Sequence, residues 1–592
     1  MHDHILRKGE LSRLEILRTK QHKILEKIKR QIPAKKRYLK QSDFDQGTVR
    51  IVKPGKYILK ENITFAPNPD NDFRPYKSDS KYANRAYSLG FFAAITIECD
   101  GVEIDLNGKT LEQGDHMAWM QRFYANIETA STPFISGQGP GNFGETIKMP
   151  KYIYIHGGTL GRSSHHGIHG NGNKYVWISN VEMVDYEFVA SAINGGHYIV
   201  HKDCKIRHNF QNLKVLATWC SALFAQQFAD DILEKVGDQK SNLVNGFRRC
   251  RNRLQVSINQ TKRELFSGRP VSNPLFHNPK LVADGNVYGI ISNPIGVAIH
   301  DFADAESMTD KKYASYFYVD NCEICNLDGD IDEVLSFKDK EGNPTKGPSG
   351  DLLKLGVCMR ENGTYKANEL SDLIMGLARM KQQFPDLNYG TLNISNDILA
   401  WSEGRVSYFQ LQNRGYTYIT GEDSMGHAGK GVLGIRIDGT NNVLISHNSI
   451  YKIRNQGRLG SENSSEDEKL YLGTIAAGVH VAQGKNVWVV DTLVQNIKAY
   501  NGESSGIKGI HQSKINVVHS GIQGISAGKR YSKGIWYGQD HNLSEQIYKT
   551  ANPNNCPTAK GLCWTYDSKI LFRDVKISDL KAPQIYYIAI TK

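Results

Sequence analysis

The chain has too little of several things to fit the common extracellular or membrane classes. Its 592 residues include nine cysteines at no framework spacing, and an odd count in so long a chain argues against a disulfide scaffold. No apolar run approaches the ~20 residues of a membrane span. Met1-His2-Asp3-His4-Ile5-Leu6-Arg7-Lys8 opens the sequence without the hydrophobic stretch of a secretion signal. Acidic residues are outnumbered, 61 to 73, for a formal net charge of +12. That balance favours polyanionic partners, although much of the excess sits in the first forty residues. No nucleic-acid-binding motif accompanies the charge, so nucleic acid ranks last among those partners.

What the chain has instead is repetition. The phrase Gly, then Ile or Val, then a variable residue occurs at Gly167-Ile168-His169, Gly296-Val297-Ala298, Gly434-Ile435-Arg436, Gly478-Val479-His480, Gly509-Ile510-His511 and Gly534-Ile535-Trp536. In several copies an aliphatic residue returns two places on, as in Ile435 and Ile437. A period of two is a strand with one buried face, so the variable residue points away from the core. A second phrase carries apolar residues at offsets 0, 2, 7 and 10 with a turn residue at offset 4. Val443, Ile445, Ile450 and Ile453 fit it around His447, as do Val487, Val489, Val494 and Ile497 around Asp491. Phe317, Val319, Ile324 and Leu327 fit around Asn321, and Ile570, Phe572, Ile577 and Leu580 around Asp574. Upstream, Ile153, Ile155 and Leu160 recur as Val176, Ile178 and Met183, then as Ile199, His201 and Ile206. The two phrases keep a fixed offset: Ile168 to Val176, Ile435 to Val443 and Val479 to Val487 are each eight residues.

Such periods mean a solenoid or a propeller. A propeller blade takes about 40 residues and four antiparallel strands, whereas this unit offers two or three short strands with Gly and Asn at the corners. That is one coil of an all-β parallel β-helix, whose core grows along one axis and whose ends need covers.

Ile95–Lys109 (ITIECDGVEIDLNGK), Lys174–Asn180 (KYVWISN) and Lys485–Asp491 (KNVWVVD) resemble coils of the pectin-lyase-like superfamily of right-handed parallel β-helices. The likeness covers most of residues 45–590. Ile95–Lys109 resembles the usual opening coil. The superfamily includes polysaccharide lyases, hydrolases, epimerases, tailspikes and non-catalytic adhesins, so function has to come from the site. The fold is mostly met outside cells, which sits awkwardly with a chain lacking a secretion signal. A protein cytoplasmic at synthesis and later carried on a virion reconciles the two.

The expected organisation is a basic N-terminal helix within 1–40, early coils with long loops over 41–210, and a helical insertion over 211–280. Central coils follow over 281–330, then an insertion with a short helix over 331–402, and C-terminal coils with a cap over 403–592. Leu14, Leu17, Gln21, Ile24 and Ile28 alternate at three and four, a coiled-coil seam. It reads equally as an oligomerisation stalk, which makes the chain a homo-oligomer, and as a cover for the first coil.

The outward ladder is the leading candidate site. In register it places Arg436, His480 and His511 on neighbouring coils as catalytic candidates, with Asp438, Trp536, His169, Asn171 and His300 as ligand-binding ones. Arg binds a carboxylate through a bidentate fork, His exchanges protons near neutrality, and Trp offers a face for a sugar. The set suits an acidic polysaccharide, with binding as the first expectation. Cleavage by β-elimination is the second: Arg436 neutralises a uronate and His480 or His511 takes the C5 proton. The alternative is a non-catalytic structural or attachment protein. The paired aspartates and Gly-His-Gly of polygalacturonase-like relatives are missing, as are the clustered acidic ligands a calcium-dependent lyase needs. No metal or other cofactor is expected. His156, His165, His166 and His169 form a histidine-rich stretch, but its glycines rule out a helical metal motif. Cys322 and Cys325 read as small residues filling a tight turn.

Overall fold

The computed structural model describes residues 11–121, 123–135, 147–209, 217–266, 294–300, 314–328, 336–338, 344–346, 369–387, 389, 431–455, 458–459, 470–471, 475–499, 503–527, 558–564, 568–581 and 584–590. Within them the alternating aliphatic segments form three strands per coil. One coil consists of Val432–Asp438, Asn441–Ser446 and Ser449–Asn455. The next consists of Ile475–Ala482, Lys485–Val490 and Leu493–Ala499. Each strand pairs in parallel with its counterpart one coil on: Ile435 opposite Val479, Val443 opposite Val487, Ile453 opposite Ile497. The first strands stack into an 11-stranded sheet, here the first wall. The second and third strands make the two walls of a 19-stranded sheet. The molecule is a parallel β-helix.

Both sequence phrases mark real positions. Val443, Ile445, Ile450, Ile453, Val487, Val489, Val494 and Ile497 are fully buried in one continuous core, each worth roughly 1.5–3 kcal/mol by burial. The copies beginning at Ile153, Val176 and Ile199 stack in register. The offset-4 residues Asn321, His447, Asp491 and Asp574 all take φ between 46° and 57°, the left-handed turn that carries the chain from the second wall to the third. Gly434 has a steric duty. Val432 and Ile435 both face the core while Leu433 faces out, so the alternation skips at Gly434. A Cβ there would lie 2.5 Å from the Gly478 carbonyl oxygen and 2.6 Å from Ile450 Cγ2.

Three expectations need correction. Ile95–Lys109 is not the opening coil: Val49–Ile51, Gly55–Leu59 and Ile63–Phe65 form an earlier one, with Lys36–Leu39 paired to its second strand. The N-terminal helix, Ser12–Lys29, neither caps an end nor projects as a stalk. It lies along the outside of the second wall, and its seam residues Leu14, Leu17, Ile24 and Ile28 are buried against Trp177, Val200, Tyr318, Leu444 and Trp488. Those partners occupy one register column on five successive coils. The third expectation, that His511 continues the ladder, fails on the register of the first wall.

The helical insertion is present as Ala217–Val236 and Asn242–Phe266, joined in packing by Glu369–Gln383. It is tied to the coils by Arg85 on Asp231 at 3.0 Å and by Phe224 stacked near Phe123, centroids 4.8 Å apart. Cys322 and Cys325 are buried free thiols flanking a strand start. Among the described residues, no helix is long and apolar enough to cross a membrane.

Candidate functional site

The first wall carries the ladder because its aliphatic residues, Ile168, Val297, Ile435, Val479 and Ile507, face the core and their successors face away. Reading the register along the wall gives Arg50, Thr96, Glu128, His169, Ala192, Ala298, Arg436, His480 and Lys508. A parallel column two residues further on contains Asn171, Asn194, His300 and Asp438, with Asn171 opposite Asn194.

The register brings Arg436, Asp438, His480 and His300 together, with His300 where the expected patch had His511. Asp438 accepts from Arg436 Nη2 at 2.7 Å and pairs with His300 Nδ1 at 2.8 Å. Burial alone would raise the Asp438 pKa, but the Arg436 guanidinium, the His300 hydrogen bond and nearby His480 hold it far below the usual carboxylate range. Asp438 is therefore a fixed anion that holds the Arg436 guanidinium and the His300 ring in place. Arg436 Nε is buried without a hydrogen-bond partner among the described residues. His480 sits on the next coil at 4 % exposure.

His511 does not belong to this site. The residue opposite His480 is Lys508, and His511 lies three places on, in the turn after the strand Glu503–Ile510, with φ 52°. The phrase that forms the coil is Gly506-Ile507-Lys508, not Gly509-Ile510-His511. The signal was available: Ile507 precedes Ile515 by the same eight residues that separate the phrases elsewhere. Trp536 lies outside the described residues.

His169 and Asn171 share the wall but form a separate cluster. Ala192 and Ala298 separate His169 from Arg436, so the two lie three coils apart, about 14 Å along the axis. His169 Nδ1 pairs with Glu128 Oε2 at 2.7 Å, its ring stacks on His166 at 4.8 Å, and Asn194 Nδ2 reaches its Nε2 at 3.5 Å and donates to Asn171 Oδ1 at 3.4 Å. Burial raises the Glu128 pKa, and His169 offsets only part of that. Glu128 was missed because its strand, Ala125–Glu128, lacks the glycine of the phrase. Among the described residues, no group of three or more His, Cys, Asp or Glu side chains could hold a metal ion.

The ladder is also not the open outer surface the sequence suggested. His169, Asn171, His480 and Lys508 are all buried, and Val189, Ala192, Ile295, Ala298, Leu433 and Ala477 form an apolar cluster beside them. Around Arg436, the side chains of His300, Arg436 and Asp438 retain exposure of 19 %, 16 % and 21 %. The site is a recess with one partly open polar patch. A recess of this kind can take a carboxylate or another small anion. Its unbonded Arg436 Nε and the adjacent basic side chains are held by the scaffold before any ligand arrives.

No family model and no curated protein matches the chain. Among solved structures it is similar to the A-module of mannuronan C-5 epimerase AlgE4 from Azotobacter vinelandii, at 8 % identity and TM-score 0.26, covering 94 % of this chain and 100 % of that one. It is similar to the Streptococcus pneumoniae surface protein and adhesin PfbA at 10 % identity and TM-score 0.23, covering 96 % and 93 %. It is also similar to the catalytic domain of a GH87 α-1,3-glucanase at 8 % identity and TM-score 0.22, covering 95 % of this chain and 63 % of that one. Likenesses at this level transfer neither a substrate nor site residues.

Proposed function

We propose that the chain binds an acidic polysaccharide through the recess around Arg436. The observation that carries this reading is the buried, unbonded Arg436 Nε beside two further basic side chains, His480 and Lys508, on the next two coils. A buried donor left unmet costs roughly 1–3 kcal/mol, and a sugar carboxylate would meet it through a charge-assisted bond. The spacing of about 4.8 Å per coil lets successive anionic sugars engage successive coils. Cleavage is the extension of this reading. Arg436 would neutralise the carboxylate and His480 would take the C5 proton as the C4–oxygen bond breaks; water would protonate the departing oxygen, leaving an unsaturated sugar on one fragment and a hydroxyl on the other.

The test is calorimetry with alginate, pectate and heparin, together with ultraviolet absorbance to detect the unsaturated product. Arg436→Ala is expected to weaken binding of the preferred glycan about tenfold or more, and Lys508→Ala to weaken it less. Equal glycan affinity for wild type and Arg436→Ala, with native circular dichroism, overturns the proposal. Binding without product leaves a non-catalytic attachment protein.

A further inference from the structure

A second concave site lies on the helical insertion, away from the ladder. The helices Asn242–Phe266 and Glu369–Gln383 meet closely where Gly376 faces Phe247, since a Cβ on Gly376 would come within 2.7 Å of Phe247 Cδ2. Beside that contact is a cavity of about 470 Å³, based on Leu243 and Phe247 and rimmed by Arg249 and Arg253 from one helix and Arg379 from the other. Gly246 also lines it, and a Cβ there would meet only Arg249 Nη2, at 3.8 Å.

The rim gathers like charges. Arg249 and Arg253 are four residues apart on one helix, an arrangement that destabilises a helix by itself, and Arg379 adds a third cation from the neighbouring helix. Of the arginines on that helix, Arg251 holds Asp230 at 2.5 and 2.9 Å, Arg248 donates to the backbone carbonyls of Gly237 and Gln239, and Arg253 donates to Cys250 Sγ at 3.8 Å. Among the described residues, neither Arg249 nor Arg379 has an ion pair, and both are exposed. Guanidinium groups suit the geometry of phosphate oxygens, and the volume is that of a small-molecule site. The apolar base gives a flat ring a surface to rest on.

We propose that this cavity binds a phosphorylated small molecule of nucleotide type, its phosphates held by Arg249, Arg253 and Arg379 and its ring packed on Leu243 and Phe247. The site is independent of the glycan reading above. The experiment is calorimetry on the full chain with ATP, pyrophosphate and adenosine. ATP is expected to bind about tenfold tighter than pyrophosphate, because only ATP uses the apolar base, and adenosine alone to bind weakest. Arg249→Ala with Arg379→Ala should lower ATP affinity by at least about tenfold, whereas the control pair Arg13→Ala with Arg30→Ala should leave it unchanged. Gly246→Leu fills the cavity but keeps the arginines, and leucine is the better helix former, so the fold is retained. That variant should bring ATP down to the level of pyrophosphate. No binding of ATP, equal loss in the control pair, or unchanged ATP affinity in Gly246→Leu each overturns the proposal.

Discussion

His201 and Ser191 are a polar pair inside an aliphatic core. His201 stacks in register between Ile178 and Val319, and Ser191 between Ile168 and Val297. Their side chains meet at 2.8 Å between His201 Nε2 and Ser191 Oγ. Complete burial disfavours the imidazolium and pulls the His201 pKa down to about 3, so the folded chain refuses a proton that the unfolded chain accepts near pH 6.5. Above 6.5 neither state binds the proton and the pair has no effect on pH dependence. Between 6.5 and 3 the unfolded state binds more protons, and stability falls as pH falls, by about 1.4 kcal/mol per unit. His208, also buried and also near 3, adds its own share. Replacing the pair as His201→Val with Ser191→Ala removes one of these titrations while keeping the core apolar. The variant should lose about 2 kcal/mol less than wild type on going from pH 7 to pH 5, measured by urea unfolding at both. An identical loss in the two proteins would mean that His201 already takes up its proton in the folded state.

The N-terminal helix shows what a single element can do when its period matches that of the surface beneath it. A helical turn advances about 5.4 Å and a coil about 4.8 Å, so seam residues spaced by three and four arrive at nearly one per coil. The 18-residue helix is about 27 Å long and reaches from Tyr154, under Lys29, to the coil of Asp491, near Arg18. Gln21, the polar member of the seam, fixes the register. It is buried and donates to Asp320 at 3.2 Å. Asp320 in turn holds Lys202, Ser446 and His447 from neighbouring coils. Lys20 and Lys27 cover the rings of Tyr316 and Tyr175, each at 4.0 Å, in a tyrosine stack running through Tyr152, Tyr175, Tyr198 and Tyr316 with centroids 4.6–5.2 Å apart. The seam was legible in the sequence as an amphipathic stripe. Its partner was not, because a stripe specifies an apolar surface without saying whose. The coils were legible for the opposite reason: a core that repeats every coil writes the same period many times, so the exceptions are local, a glycine at 509 in place of 506 and a first coil that lacks the repeated phrase. The environment of the ladder was the least legible part, since local alternation tells inward from outward but not outward from exposed. Leu17→Ala or Ile24→Ala should cost about 2–5 kcal/mol of the helix's docking. The check is a red shift of tryptophan emission, because Trp177 and Trp488 are 6 % and 1 % exposed beneath this helix. Unchanged emission and stability in both variants would refute the docked position.

At the scale of the whole molecule, a solenoid is a one-dimensional array whose coils contact only their neighbours, so its stability is a sum of local terms and its unfolding can break into pieces. The long interval between the described coils at Glu323–Asp328 and Val432–Asp438 is where the array is weakest in sequence continuity. Among the described residues, parallel backbone pairing joins Ile295–Ile299 to Val432–Asp438 and Ser315–Asp320 to Asn441–Ser446. The N-terminal helix crosses that junction. Its seam touches Val200 and Tyr318 before it and Leu444 and Trp488 after it, and Asp320 ties Lys202 on one side to Ser446 and His447 on the other. The helix thus adds a coupling that spans several coils to an array otherwise held by nearest-neighbour terms. Deleting residues 1–32 should do two things. Calorimetry should show the main unfolding transition of the intact chain divide into two, the C-terminal coils melting apart from the N-terminal ones. Light scattering should show the truncated chain associating, because the strip of Trp177, Val200, Tyr318, Leu444 and Trp488 loses its cover. An oligomerisation stalk predicts the reverse, a multimer that falls to monomers on truncation. A deletion that dissociates the protein while leaving one undivided transition would show that the helix serves assembly between chains, and not cohesion within one.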